Sequence, residues 1–219
     1  MNVYAVIDTN VVVASMLTSN HLSATKSIIN KVWEDTITPM INAEIIEEYR
    51  DVLSRSKFHF SESDISEMLN LFSLKGKGYT PKCMDHDLTD PDDVIFYETY
   101  RMRDDSYLVT GNMKHFPSEP RILSPADMIN IINLSENGNN ILSEPKAEYV
   151  SKIKKDLLQR AWEAMERMRA SAVANGIVDM TMEEIDEEIK SARLSRRHIC
   201  KSIGAAAWLH KYARHNLKH

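Results

Sequence analysis

The amino-acid sequence predicts an α/β protein, a three-layer α/β/α sandwich around a central parallel sheet, followed by a helical C-terminal extension. In the first 132 residues, apolar β-branched runs alternate with segments whose apolar residues recur at helical spacing. Repeated β-α units of this kind form parallel sheets covered by helices. Beyond residue 132, a polar, turn-prone stretch is followed by helical patterns alone.

The predicted elements can be placed in chain order. Strand 3–7 is a continuous apolar run, as buried parallel strands are. Asn42 is a good N-cap for the predicted helix 42–53. The strands predicted after the first one are 36–38 and 106–109. The helices predicted are 23–33, 42–53, 63–74, one opened by Asp90-Pro91-Asp92-Asp93, and a short one that begins at Ser124-Pro125 and ends at 132.

The C-terminal part has a different pattern. Residues 133–146 predict a linker, and a long helix over 147–174 ends at Asn175-Gly176. Thr181-Met182-Glu183-Glu184 is typical of a capping box that opens a second helix. The expected organisation is an α/β domain over 1–132, a linker over 133–146, a helical arm over 147–193 and a basic tail of unknown structure over 194–219.

Composition excludes some classes of function. No apolar run approaches the roughly 20 residues of a membrane helix, and the two cysteines, Cys83 and Cys200, form no pair motif. We therefore expect a cytoplasmic protein without a membrane span. The net charge of −5 argues against a broadly basic nucleic-acid binder. From 193 to 219 there are basic residues but no acids, so this segment either binds nucleic acid or folds back on the acidic body.

Acidic and amide side chains stand where the predicted strands and helices meet. Asp8 ends the first strand, Asn112 follows the strand 106–109, Glu48 lies at the edge of an apolar helix face, and Asp93 lies at a helix start. Ligands of open α/β sheets bind beyond the carboxyl ends of the strands. Oxygen ligands without a His or Cys cluster indicate a hard cation, Mg²⁺ or Mn²⁺. The pattern therefore predicts metal-assisted phosphodiester hydrolysis.

Each of these residues also has a structural interpretation. Asp8 can cap the next segment, Glu48 can belong to a solvated helix face, and Asn112 can be a turn residue. Acids in the first turn of a helix interact favourably with the positive end of its dipole. Asp90 and Asp92 are therefore either helix caps or acids that lie outside the metal-binding set, beside Asp93. Two histidines are too isolated to indicate a site and are expected on the surface or in loops, namely His86 and His115.

Taken together, these segments resemble a PIN-domain ribonuclease of the kind found as toxins in bacterial toxin–antitoxin pairs. The resemblance covers about residues 1–132, with agreement in order and spacing as well as identity. The matching segments are Val6-Ile7-Asp8-Thr9-Asn10-Val11, Glu47-Glu48-Tyr49-Arg50-Asp51-Val52-Leu53, Asp90-Pro91-Asp92-Asp93 and Leu108-Val109-Thr110-Gly111-Asn112.

The resemblance implies a Mg²⁺-dependent endoribonuclease acting on single-stranded RNA, with Mn²⁺ as the alternative ion, and a homodimer. Asp8, Glu48 and Asp93 become the metal-binding acids. Asn112 becomes the fourth catalytic residue, at a family position that is commonly Asp, and would supply a neutral oxygen to the metal ion or its water; this change puts a second metal in doubt. The supporting polar residues are Thr9, Asn10, Asp90, Asp92 and Thr110.

Residues 160–193 are similar to the toxin-binding end of short antitoxins. This resemblance implies an inhibitory arm that acts within or between chains, with a separately encoded antitoxin as the other possible partner. The alternative is a dimerisation or packing element with no effect on catalysis. An apolar stripe with Trp162, Met165 and Met168 would lie in a groove of the nuclease. A cation would then pair with the acidic site, and the candidates are Lys190, Arg193 and Arg196.

Two other functions stay open. The first is a catalytically silent PIN-fold binding protein whose C-terminal helices assemble a complex. The second is a phosphatase or DNA nuclease that uses the same acids, since the metal chemistry is shared.

Overall fold

A parallel sheet forms the centre of the protein. The computed structural model describes residues 2–20, 22–81, 92–138 and 152–203. Its sheet has the order β3-β2-β1-β4-β5, with every pairing parallel. The strands are β1 (Val3–Ile7), β2 (Ile37–Ile41), β3 (Lys77–Gly78), β4 (Tyr107–Val109) and β5 (Ile122–Leu123). The helices flank this sheet, which confirms the predicted fold class.

The helices lie between and after the strands. They are α1 (Thr9–Leu17), α2 (Ala24–Trp33), α3 (Ala43–Leu53), α4 (Glu62–Lys75), α5 (Val94–Tyr100), α6 (Pro125–Gly138), α7 (Lys152–Ala174) and α8 (Met182–Ile203). Local sequence explains where several of them begin. The side chain of Asn42 accepts a hydrogen bond from the N–H of Ile45, and Ser61 does the same for Asp64. Both are typical N-caps.

Several features of the sheet and its helices differ from the prediction, among them the short strands β3 and β5, which were not predicted. The segment 9–17 is a helix that the sequence pattern did not predict, because its residues Val11, Val12 and Val13 favour strand and nearly all of it is buried. Strand β2 continues through Pro39, which the prediction placed at its end. Helix α6 continues past 132 to Gly138. Residues 139–146 of the predicted linker lie outside the described residues.

Helix α7 packs on α4 and α1 and shares their apolar core. Its buried face consists of small residues and methionines, namely Ala161, Ala164, Met165, Met168 and Ala172. Arg169, also on this face, donates a hydrogen bond of 3.1 Å to the carbonyl of Ser15 near the end of α1. The contact between α7 and the α/β body of residues 2–138 is therefore mostly apolar, and burial of this surface stabilises both the body and the helix.

A short connection, residues 175–181, joins α7 to α8. Gly176 adopts a positive φ of 67°, and the Asp179 carboxylate accepts hydrogen bonds from Ser19 at 3.0 and 2.7 Å. Thr181 and Glu184 then form the predicted capping box, in which each residue's backbone N–H donates to the other's side chain. Helix α8 runs to Ile203, and residues 204–219 of the predicted basic tail lie outside the described residues.

The carboxyl ends of β1, β2 and β4 lie together at one end of the strands, since all three strands are parallel. We call this carboxyl-terminal side the edge of the sheet. Helix α8 runs across this edge and contacts α1 and α3. In the part of the chain that the structure describes, no helix is both long enough and apolar enough to cross a membrane.

Candidate active site

Asp8 stands at the junction of β1 and α1 and is 4% exposed. Its backbone N–H donates to the carbonyl of Val109 in the neighbouring strand, which continues the sheet pairing to this residue. The Oδ2 atom of Asp8 accepts hydrogen bonds from Thr110 Oγ1 at 2.6 Å and from Asn10 Nδ2 at 3.0 Å. Two predicted supporting residues therefore fix the orientation of this carboxylate.

Glu48 projects from α3 toward Asp8 and is 3% exposed, whereas Glu47 beside it is exposed. Thr9 Oγ1 donates to Glu48 Oε1 at 2.8 Å. The neighbouring Tyr49 donates its hydroxyl hydrogen to the carbonyl of Ile7. These two bonds tie α3 to the end of β1, so the acid at the margin of the apolar stripe points inward.

Asp93 lies at the start of α5 and is 2% exposed. Its side chain makes no capping bond to α5, so the helix-cap interpretation does not describe it. The Oδ2 atom lies 3.0 Å from His115 Nδ1. Asp92 beside it is half-buried, and Asp90 lies outside the described residues.

Asn112 connects the end of β4 to helix α8. Its backbone N–H donates to Thr110 Oγ1 at 2.9 Å, and its Nδ2 lies 2.8 Å from His115 Nε2. The same Nδ2 donates to Asp186 Oδ2 at 2.6 Å. Its φ of −123° is an ordinary value, so the left-handed turn interpretation does not apply.

The guanidinium group of Arg193, on α8, stands among the acids. Its Nη2 and Nε donate to Glu48 at 2.8 and 3.3 Å, and its Nη1 donates to Asp93 Oδ1 at 2.9 Å. Arg193 is 7% exposed, so this is a buried set of charge-assisted hydrogen bonds. Carboxylates from separate elements thus converge on one cation.

Burial and mutual repulsion shape the protonation of this cluster. Burial raises the pKa of Asp8, and the charge of Asp93 adds to it, so that the pKa reaches about 7. The Thr110 hydrogen bond and the Arg193 charge oppose this rise. Burial lowers the pKa of Arg193, but Glu48 and Asp93 outweigh it and hold this pKa above its ordinary value. The cluster therefore favours a cation at its centre.

The remaining predicted arm residues have separate positions. Trp162 packs against Trp33 with ring centroids 5.2 Å apart, while Met165 and Met168 lie in the apolar core. Lys190 is exposed and lines the small cavity beside Arg193, and Arg196 pairs with Asp51 at 2.6 Å. Of the three candidate cations, Arg193 is the one that reaches Glu48 and Asp93.

Two residues that contact the site were not identified from the sequence. His115 was expected on the surface or in a loop, but it contacts both Asp93 and Asn112. Its position three residues after Asn112 in a short connecting turn is the one signal that could have indicated it. Asp186 lies among other acids at the start of α8, where helix capping explains acidic residues equally well.

The donor set fits a hard divalent cation, because Asp8, Glu48 and Asp93 offer carboxylate oxygens. Among the described residues, no group of three or more His, Cys, Asp or Glu side chains forms a ready metal site. Arg193 stands between Glu48 and Asp93 instead, at bonding distance from both. A metal ion bound by these carboxylates would compete with the guanidinium of Arg193 for Glu48 and Asp93.

Buried acids beyond the carboxyl ends of parallel strands can hold a metal ion that assists the hydrolysis of phosphate esters. The comparison with protein families agrees: the model described as PIN domain matches residues 4–114, about half of the chain. The chain belongs to the PIN domain family, whose members are generally nucleases that use divalent metal ions. No curated protein and no solved structure matches the chain.

Proposed function

We propose that this chain is a Mg²⁺-dependent endoribonuclease of single-stranded RNA, restrained by its own C-terminal helices. The observation that carries the proposal is the convergence of Asp8, Glu48 and Asp93 on the Arg193 guanidinium. Three buried carboxylates repel one another unless a cation lies among them. In this conformation Arg193 provides the cation, and in the active conformation Mg²⁺, or Mn²⁺, would replace it.

The residues of the chain have defined tasks in this reaction. Bound Mg²⁺ would lower the pKa of a water ligand and offset negative charge on the phosphodiester. Asp8, Glu48 and Asp93 would hold the ion. Four neighbouring side chains keep these carboxylates oriented through the contacts described above, namely Thr9, Asn10, Thr110 and His115.

The restraint rests on the geometry of α8. Arg193 bonds to two of the three acids, and the cavity that remains beside it has a volume of about 10 Å³, close to the space that one water molecule needs. An RNA strand therefore has no access while α8 is docked. The extension would act as the antitoxin does in a two-protein system, but in cis. Activity would require α8 to leave the edge of the sheet.

The test uses point substitutions in the full chain, because α7 shares its core with the nuclease body and truncation would expose that core. Arg193→Ala should permit Mg²⁺-dependent cleavage of a single-stranded RNA. Arg121→Ala, at an exposed position next to β5, removes the same kind of side chain away from α8; it is the matched control and should behave as the unchanged chain does. Adding Asp93→Asn to Arg193→Ala should abolish cleavage.

The outcomes separate the candidate functions. Cleavage of RNA by Arg193→Ala, lost again with Asp93→Asn, supports the restrained nuclease. Equal cleavage by the unchanged chain and by Arg193→Ala would contradict the restraint. Cleavage of DNA alone would replace RNA as the substrate, and no cleavage by any variant would favour the catalytically silent binding protein.

A further inference from the structure

Helix α8 brings an acid as well as an arginine to the acidic edge of the sheet. Asp186 and Arg193 are seven residues apart, two helical turns, so they lie on the same face of α8. Asp186 Oδ2 accepts a hydrogen bond from Asn112 Nδ2 at 2.6 Å, and its Oδ1 accepts one from Asn10 Nδ2 at 3.4 Å. The carboxylate of Asp186 is thus held by two side-chain amides.

A fourth carboxylate is unexpected beside three others, because like charges repel at short distance in a buried site. Its presence indicates that the amides of Asn10 and Asn112 compensate this repulsion locally. Both asparagines are buried, at 3% and 8% exposure. Hydrogen bonds from neutral donors to a charged acceptor are among the stronger ones, so the two amides form a small anion-binding site.

Other contacts hold these two amides in place. Asn10 Nδ2 also donates to Asp8 Oδ2 at 3.0 Å, and Asn10 Oδ1 accepts from the N–H of Gly111 at 2.9 Å. Asn112 Nδ2 also lies 2.8 Å from His115 Nε2. Asn10 therefore donates to both Asp8 and Asp186, and Asn112 donates to Asp186 while it also contacts His115. The donors are oriented by residues other than the anion they bind.

We infer that Asn10 and Asn112 form the subsite for a phosphate oxygen of the RNA strand, and that Asp186 occupies this subsite while α8 is docked. The inference rests on the proposed nuclease function. Asn10 contacts Asp8 directly, so an oxygen in the place of Asp186 lies next to the acids that would hold the metal ion. Asparagine side chains are among the ordinary donors to phosphate oxygens in nucleic-acid complexes.

This assignment explains why an amide is useful at position 112. An aspartate there would add a negative charge and remove the donor, and it would repel both Asp186 and a phosphate. Helix α8 then places a carboxylate where the substrate phosphate binds and a guanidinium where the cation binds. Docking of α8 and binding of RNA exclude each other at both positions.

The decisive variant is Asn112→Asp, because two explanations predict opposite results for it. If α8 only blocks the site, repulsion between the new aspartate and Asp186 loosens α8 and RNA binding becomes tighter. If Asn112 is part of a phosphate subsite, RNA binding becomes weaker although α8 is loosened. Asn133→Asp, at an exposed position on α6, adds the same charge away from the site and is the matched control.

The measurement is fluorescence anisotropy of a labelled single-stranded RNA, about 12 nucleotides long, with full-length protein in EDTA. All variants carry Arg193→Ala, which releases α8 so that RNA can bind, and Asp93→Asn, which keeps the RNA intact. Asn112→Asp should weaken binding about tenfold relative to Asn133→Asp, as expected for the loss of a charge-assisted hydrogen bond. Asp186→Asn should tighten binding, because it removes the competing anion.

Hydrogen exchange of the α8 amides shows whether the helix is loosened in each variant. Faster exchange in Asn112→Asp, together with weaker RNA binding, supports the subsite. RNA binding by Asn112→Asp that equals or exceeds that of Asn133→Asp overturns it. Failure of the nuclease proposal is visible elsewhere, as absence of Mg²⁺-dependent cleavage by Arg193→Ala, so the two proposals fail in different measurements.

Discussion

Replacing Asp8 by asparagine should stabilise the fold when no divalent metal is present. Asp8 is 4% exposed and lies among other acids, so its ionised form is unfavourable in the folded chain. Asn has nearly the same shape, and its side-chain oxygen can still accept the hydrogen bond that Thr110 donates to Asp8. The substitution therefore removes a buried charge with little change in packing.

The raised pKa of Asp8 gives the size and sign of the effect. Burial, reinforced by Asp93, raises this pKa from 3.8 to about 7. At about 1.4 kcal/mol per pKa unit, a rise of roughly three units means that ionised Asp8 costs the folded state about 4 kcal/mol. Because the folded pKa is the higher one, the cost is absent at the lowest pH, grows as pH rises toward 7 and is complete above it.

The assay is urea unfolding of the full chain and of Asp8→Asn in EDTA across this pH range. The free energies of unfolding should agree at about pH 4 and differ by roughly 2–4 kcal/mol at about pH 8, with the variant more stable. Asp104→Asn, at an exposed position, is the matched control and should show no such difference. Equal stability of Asp8→Asn and the unchanged chain at about pH 8, or a difference independent of pH, would refute the reasoning.

Two further predictions concern the extension. Met165→Ala, at a fully buried position on α7, should lower the free energy of unfolding by about 2–5 kcal/mol. Val173→Ala, on the exposed side of the same helix, is the control and should change this free energy little. Similar values for both variants would show that α7 does not share the core. Glu188 on α8 contacts Arg55 at 3.1 Å and Lys57 at 2.9 Å, and Glu188→Gln should weaken both contacts. Amide hydrogen exchange in α8 should then become roughly fivefold faster, while exchange in α7 stays the same. Unchanged exchange in α8 would contradict an ionic contribution to its docking.

The parts of the fold that were predictable have strong periodic signals. The amphipathic pattern and Asn42 cap of α3, and the capping box of α8, indicated those helices from local sequence. Helix α1 was missed because it is buried on nearly all sides and so has no polar face, and its valines favour strand. Strands β3 and β5 have two residues each, too few to show an alternation pattern.

The candidate site was predictable for residues that directly follow a parallel strand, because the strand determines where they lie. Asp8 and Asn112 follow parallel strands, so they had to lie at one edge of the sheet, where the structure brings them to the same residue, Thr110. His115 and Asp186 carry no periodic signal, and their contacts depend on how a turn and a distant helix pack. The choice of Arg193 among the basic residues of α8 is likewise decided by packing.

The central claim is that the acids form one cation site which Arg193 occupies in place of a metal ion. Titration calorimetry with Mn²⁺ on the full chain and on Arg193→Ala tests it most directly. The account predicts that Arg193→Ala binds one ion about tenfold more tightly or better, because its competitor is gone, and that Asp93→Asn in the same background abolishes this binding. Equal Mn²⁺ affinity of the full chain and of Arg193→Ala would contradict the claim.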